Sequence, residues 1–229
     1  MSSPCFNAFP RPVGAPLAGA RQARFWNRIA RRYADAAIAD LAGYERTLDC
    51  VSALLSPEHV VLEIGCGTGA TALRLAPAVG RWLATDVSPA MIDIARDRLA
   101  AQSTPGLDFA VADADAMAFD TAAHDRVLAF NVLHLVSDLE RVLTGVAHTL
   151  RAGGLFIAKT PCIAEMNPLL ALAGVPVMRA LGLAPPLLRL DESRLCAALR
   201  RAGLEVIAIE RHGTRGRDAR PFIVARKPG

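Results

Sequence analysis

The stretch Val60-Val61-Leu62-Glu63-Ile64-Gly65-Cys66-Gly67-Thr68-Gly69 constrains this chain more than any other. Its first five residues are apolar except for Glu63, the pattern of a strand buried on both faces of a parallel sheet. Three glycines at alternate positions then break the run before a helical pattern, Thr71 to Ala76, takes over. A glycine turn between strand and helix lets backbone approach a ligand closely and aims helix N-terminal N–H groups at it. That is nucleotide-binding architecture. Asp86 closes the next apolar run, Trp82-Leu83-Ala84-Thr85, where a carboxylate can hold a pair of ribose hydroxyls.

Dinucleotide enzymes share the strand, the turn and the acid, so three further details decide the reading. Glycines 65, 67 and 69 are spaced G-x-G-x-G, not G-x-G-x-x-G. Glu63 lies two residues before the first glycine. A third acid, Asp113, ends the strand-like run Phe109-Ala110-Val111-Ala112. On these residues the sequence resembles the class I S-adenosylmethionine-dependent methyltransferases, especially the small-molecule branch near ubiquinone and menaquinone biosynthesis. The resemblance runs from about Phe25 to Lys227 and is densest between Val60 and Thr160. It implies an α/β fold, a doubly wound, mostly parallel seven-stranded sheet with a terminal antiparallel strand, and S-adenosyl-L-methionine as cofactor.

The resemblance also implies roles. Gly65, Gly67 and Thr68 line the methionine part, Glu63 helps orient its ammonium or the loop, and Gly69 serves helix packing. Asp86 accepts from both ribose hydroxyls, against a reading as a strand-end cap beside Ser88, while Val87 and Met91 pack on the adenine or, the stronger default for aliphatic side chains, simply in the core. Asp113 accepts from the adenine amino group and the Ala114 N–H meets a ring nitrogen, with Asp115 as an alternative two positions on. Asn131, directly after the run Val127–Phe130, touches the methionine carboxylate or the acceptor. Tyr33, on a leading helix, closes over the cofactor, against a reading as core packing. His134 is the candidate general base, against one in which it caps a turn or packs between Leu133 and Leu135. His59, His124 and His148 read as surface or loop residues. Met117-Ala118-Phe119 departs from the family's Leu-Pro-Phe. No Asn-Pro-Pro-Tyr segment occurs, which argues against methylation of amide or exocyclic amino nitrogens, and no carboxylate cluster follows for magnesium.

At 229 residues the chain suffices for one α/β domain, expected over 21–229. Residues 1–20, with prolines at 4, 10, 12 and 16, read as a disordered tail without signal-peptide order. A formal charge of +4 is too small to require a nucleic-acid partner. Five cysteines without a C-x-x-C pair indicate neither a disulfide framework nor a zinc or other metal site, and suggest a reducing cytoplasm. No apolar run is long enough to span a membrane.

Two leading helices are predicted over 21–56, the first with Phe25, Ile29 and Tyr33 on one face and Arg21, Arg24, Arg28 and Arg31 on another. Ser88-Pro89 starts a helix, and Asp138 caps one whose stripe Leu139, Val142, Leu143, Val146, Leu150 is ended by Gly153-Gly154. A last helix spans 191–202. Strands 205–209 and 222–225, joined by a loop too short for a crossover, must be antiparallel. Residues 162–190, apolar and interrupted by prolines, are expected to cover a hydrophobic, quinone- or lipid-like acceptor; core helices or a homodimer contact are the alternatives. The arginines of the first helix, with 211, 215, 217 and 220, suit an anionic acceptor, a lipid headgroup or RNA, or simply a solvated face.

The reading is therefore a methyltransferase acting on a small, apolar acceptor by in-line transfer. Its rivals are a non-catalytic S-adenosylmethionine-binding module, an RNA methyltransferase and a nicotinamide-dependent oxidoreductase. The last lacks a Tyr-x-x-x-Lys pair and has no use for Asp113.

Overall fold

The computed structural model describes residues 19–116, 120–165, 187–214 and 218–229. Seven strands form one sheet in the order β3-β2-β1-β4-β5-β7-β6. They are β1 (Val60–Ile64), β2 (Arg81–Asp86), β3 (Leu107–Val111), β4 (His124–Phe130), β5 (Leu150–Lys159), β6 (Glu205–Glu210) and β7 (Phe222–Arg226). The pairs β1–β2, β1–β4, β2–β3 and β4–β5 are parallel, whereas β7 lies antiparallel between β5 and β6. This is the expected sheet, with its late antiparallel strand inserted one place in from the edge.

The near-continuous apolar runs of the central strands follow from coverage on both faces. Leu62, Ile64, Val127, Ala129, Phe156 and Ala158 pack with helices α5 (Leu139–Thr149) and α6 (Glu192–Arg201). Their alternates Val61, Leu128 and Ile157 pack on the other face with α2 (Leu41–Ser52), α3 (Ala70–Leu75) and α4 (Pro89–Gln102). Caps start these helices where the sequence puts them. Ser88 accepts from Met91 N–H, Asp138 from Arg141 N–H and Asp191 from Arg194 N–H.

Three expectations need correction. The helix α1 (Gly19–Asp35) begins inside the stretch assigned to the tail, because Gly19 is buried against Asp113 and Val87. The helix α5 stops at Thr149, not at Gly153-Gly154. Leu150 is already extended and pairs with His124, its side chain still in the core. His124 itself is buried, with Nδ1 2.9 Å from Thr149 Oγ1, so it is no surface residue. The apolar segment 162–190 is described only at its ends, where Ala164 N–H donates to Leu190 O and Leu188 N–H to His134 O. Residues 166–186, which carry the expected cover, lie outside the described residues, as do 1–18, Met117 to Phe119, Arg215 and Arg217.

Candidate active site

The carboxyl ends of parallel strands gather at one edge of such a sheet, and the crevice outside them is where ligands bind. The turn after β1 is built there from three left-handed glycines, with φ of 71° at Gly65, 55° at Gly67 and 78° at Gly69. They are needed for different reasons. A Cβ on Gly65 would meet Val132 Cγ2 at 2.5 Å, and one on Gly69 would meet the Phe109 ring at 2.6 Å. Those two glycines serve packing as well as φ. At Gly67 the nearest atom would be Tyr33 Cε1, at 3.7 Å, so space above this backbone is open.

Asp86, the last residue of β2, is held by the turn it faces. Its Oδ2 accepts from Gly67 N–H and its Oδ1 from Ser88 N–H, each at 2.9 Å. Burial pushes its carboxyl up, opposed by those backbone bonds. Each oxygen keeps a further lone pair.

A cavity of about 660 Å³, counted to its open mouth, runs along the ends of β1, β2 and β3. Gly65, Gly67, Asp86, Val87, Met91, Asp113 and Ala114 line it, and Gln22, Trp26 and Tyr33 of α1 border it from above. Asp113 and Asp115 divide their work. Asp115 is buried and accepts from Ser137 and Asp138 N–H at 2.8–3.0 Å, which fixes the start of α5. Among the described residues Asp113 takes only Asp115 N–H at 3.0 Å and an N–H from Gly19, and burial chiefly pushes its carboxyl up.

Of the other expected residues, Asn131 also borders this cavity, Thr68 and Glu63 border only the adjoining one, and His134 borders neither. Thr68 is buried, and its hydroxyl accepts from Arg98 Nη1 at 2.8 Å instead of facing this cavity. Glu63 is buried behind the turn and accepts from Trp82 Nε1 at 3.2 Å; burial pushes its carboxyl up to about 8. It is thus largely neutral at pH 7. Asn131 holds φ 54° directly after β4, anchored by its N–H to Lys159 O at 2.7 Å. His134 borders neither cavity. Its Nδ1 lies 3.2 Å from Thr160 Oγ1 and burial pushes it down to about 4, too weak a base at neutral pH.

A second, larger cavity, about 1510 Å³ counted to its open mouth, adjoins the first. Tyr33, Gly65, Gly67, Phe130 and Asn131 border both. Its far wall mixes Ile38, Tyr44 and Leu48 with Thr47, Lys159 and Arg220. Sequence reasoning missed Lys159, Thr47 and Arg98. Only Lys159 left a signal: it is one of two lysines among 26 basic residues.

A sheet of this order, with acids at the end of β2 and just past the end of β3, defines a Rossmann-like fold. The family model of a methyltransferase domain matches residues 61–154. A ubiquinone/menaquinone biosynthesis C-methyltransferase from Acidiphilium cryptum is 37% identical over 102 residues, 44% of this chain and 41% of that protein. A lovastatin diketide synthase from Aspergillus terreus is 38% identical over 112 residues, 44% of this chain and 4% of that protein. The chain thus spans less than half the length of these curated relatives. Among solved structures, an S-adenosylmethionine-dependent methyltransferase from Mesorhizobium loti superposes with a TM-score of 0.66 at 21% identity, covering 78% of this chain and 96% of that one. The [4+2]-cyclase SpnF superposes with a TM-score of 0.73 at 18% identity, covering 95% and 98%. The fold is thus that of solved methyltransferases, and residues 61–154 match a methyltransferase domain.

Proposed function

We propose that this chain binds S-adenosyl-L-methionine in the smaller cavity and methylates a small, largely apolar molecule held in the larger one. The observation that carries this reading is the shared border: Gly65, Gly67 and Asn131 belong to both cavities, so ligands in the two would meet there. The residues suit the cofactor. Asp86 offers two oxygens to a ribose diol, and Asp113 with Ala114 N–H offers an acceptor and a donor to an adenine edge. Val87 and Met91 supply apolar faces to its ring. Gly67 leaves room for the methionine chain against bare backbone, under Tyr33. When bound, the cofactor supplies an activated methyl group, so the chain mainly positions the acceptor in line and excludes water. Ile38, Leu48 and Phe130 favour an apolar body.

Calorimetric titration with S-adenosylhomocysteine and with NADH tests the cofactor. Binding of the first alone is expected, and binding of NADH alone would return the chain to the oxidoreductases. Asp86→Ala is expected to weaken that binding by about 10-fold or more, since a hydrogen bond to a charged group is worth ~1.5–3 kcal/mol. Mass spectrometry of extracts incubated with methyl-labelled S-adenosylmethionine then seeks a labelled product. Cofactor binding with no product would favour a binding module, or another chemistry on the same fold.

A further inference from the structure

The chain carries 24 arginines and only two lysines, Lys159 and Lys227. Arginine holds its proton under all ordinary conditions, whereas a buried lysine can lose it. Lys159 ends β5, is 8% exposed and borders the larger cavity. Its Nζ donates to Thr47 Oγ1 at 2.8 Å, and among the described residues no carboxylate lies within ion-pair distance. Burial pushes Lys159 down, reinforced by Arg220; Asp218, Asp40 and Cys50 act the other way.

The bond to Thr47 continues outward. The Thr47 hydroxyl has one proton and two acceptors in reach, Gly43 O at 2.8 Å and His212 Nδ1 at 3.0 Å. His212 is buried, tilted against the Phe222 ring, and its Nε2 lies 3.1 Å from Glu210 Oε2. The Glu210 side chain is 44% exposed. A neutral His212 that accepts from Thr47 and donates to Glu210 completes one unbroken line of hydrogen bonds from Lys159 to solvent. Burial, with Lys159 and Arg46, favours this neutral form, and Glu210 opposes it.

We propose that Lys159 takes the proton the acceptor loses on methylation, and that Thr47, His212 and Glu210 conduct it to solvent. This rests on the methyltransferase reading. Methylating an X–H group forms the X–C bond, breaks the S–C bond whose electron pair returns to sulfur, and releases the X–H proton. A neutral Lys159 amine accepts that proton. The ammonium hands one to the Thr47 oxygen, the hydroxyl proton moves to His212 Nδ1, and the Nε2 proton moves to the Glu210 carboxylate and water. The acceptor class is thereby narrowed to molecules with an ionisable X–H beside an apolar body, such as a phenol or an enolisable carbonyl. Lys159 is the catalytic residue here, and the other three act through it.

Two lysines make the test direct. Protein labelled with 15N-lysine carries only two Nζ signals, and Lys227→Arg assigns them. Lys159 is expected to titrate below a free lysine side chain, with a second inflection where the His212 ring titrates. Thr47→Val, nearly the same shape without a hydroxyl, should remove that inflection. A through-space effect would survive the change and overturn the relay, as would a Lys159 that titrates as a free lysine side chain does. Cys50, Glu210 and His212 present ligand atoms within 4.8 Å of one another. Stoichiometric zinc in protein purified without chelator would therefore also overturn it. In the extract assay, Lys159→Arg should keep S-adenosylhomocysteine affinity yet lose the labelled product by about 100-fold or more, the scale of general-base catalysis. Full labelling by the arginine variant would show that Lys159 only holds charge, ending the proposal. If the wild type binds cofactor but labels nothing, the methyltransferase reading fails, and the Nζ titration alone decides whether Lys159 feeds the relay.

Discussion

At the scale of single residues, the least ordinary group is Glu63, a carboxyl inside an apolar strand. Its 2% exposure, only partly offset by the bond from Trp82 and reinforced by Asp86, explains why its proton is retained to about pH 8. A carboxyl whose folded pKa is raised stabilises the fold below its unfolded value. That contribution is lost as pH rises, here from about 4.5 to about 8. His124 and His134, both pushed down to about 4 by burial, act in the opposite sense: their contribution is present above about 6.5 and lost as pH falls toward 4. Between pH 6.5 and 8 Glu63 therefore acts without them. Glu63→Gln is expected to flatten the fall in melting temperature over that window and to melt above the wild type at pH 8. Each unit of pKa difference is worth ~1.4 kcal/mol, so the effect is well within reach of thermal melts. An unchanged slope would mean that Glu63 is ionised in the fold.

At the scale of elements, the β1–α3 turn carries the clearest expectation. Gly67 and Gly69 both need φ above zero, yet only Gly69 is also hemmed in, by Phe109 of β3 and Ala95 of α4. Gly67→Ala should cost ~1–2 kcal/mol, the price of a left-handed alanine. Gly69→Ala should cost more, since overpacking adds ~1–3 kcal/mol. Urea denaturation of the two variants checks the order, and equal losses would show that the Phe109 contact relaxes freely. Elements of this kind were legible because their signals are local: the apolar run of β1, the glycine turn, Ser88-Pro89 and the Asp138 cap. The end of α5 was not. Leu150 is buried whether helical or extended, so its apolarity cannot say where the helix stops, and pairing with His124 decides it. The same limit applies to the site. Asp113 and Asp115 look alike in sequence and separate only through Ser137 and Asp138, more than twenty residues on. The relay from Lys159 joins α2, β5, the last residue of β6 and His212 just after it, which no spacing along the chain reveals.

At the scale of the whole molecule, α1 is the element that closes the sheet's ligand edge, and Arg98 is what ties it there. From α4, Arg98 donates to Thr68 O and Oγ1 at 3.2 and 2.8 Å and to Ala34 O at 3.1 Å. One guanidinium thus joins the glycine turn to the C-terminal end of α1. Farther along, Asn27 Oδ1 accepts from Ser88 Oγ at 2.6 Å and Ala90 N–H at 3.2 Å, and Gln22 Nε2 donates to Leu135 O. Few apolar side chains anchor this helix: only Gly19 and Ala30 are buried along it. Its hold is therefore mostly polar and local, the condition under which a segment opens without the rest of the fold. Arg98→Ala should speed amide hydrogen exchange across 19–40 while leaving β1, β4 and β5 as protected as before. S-adenosylhomocysteine affinity should fall several-fold, because Tyr33 and Trp26 no longer stay over the cavity, and saturating ligand should restore part of the protection. Hydrogen-exchange mass spectrometry with and without ligand reads all three effects. Faster exchange spread evenly over the sheet would instead make Arg98 a general brace of the fold, and α1 no separate cover.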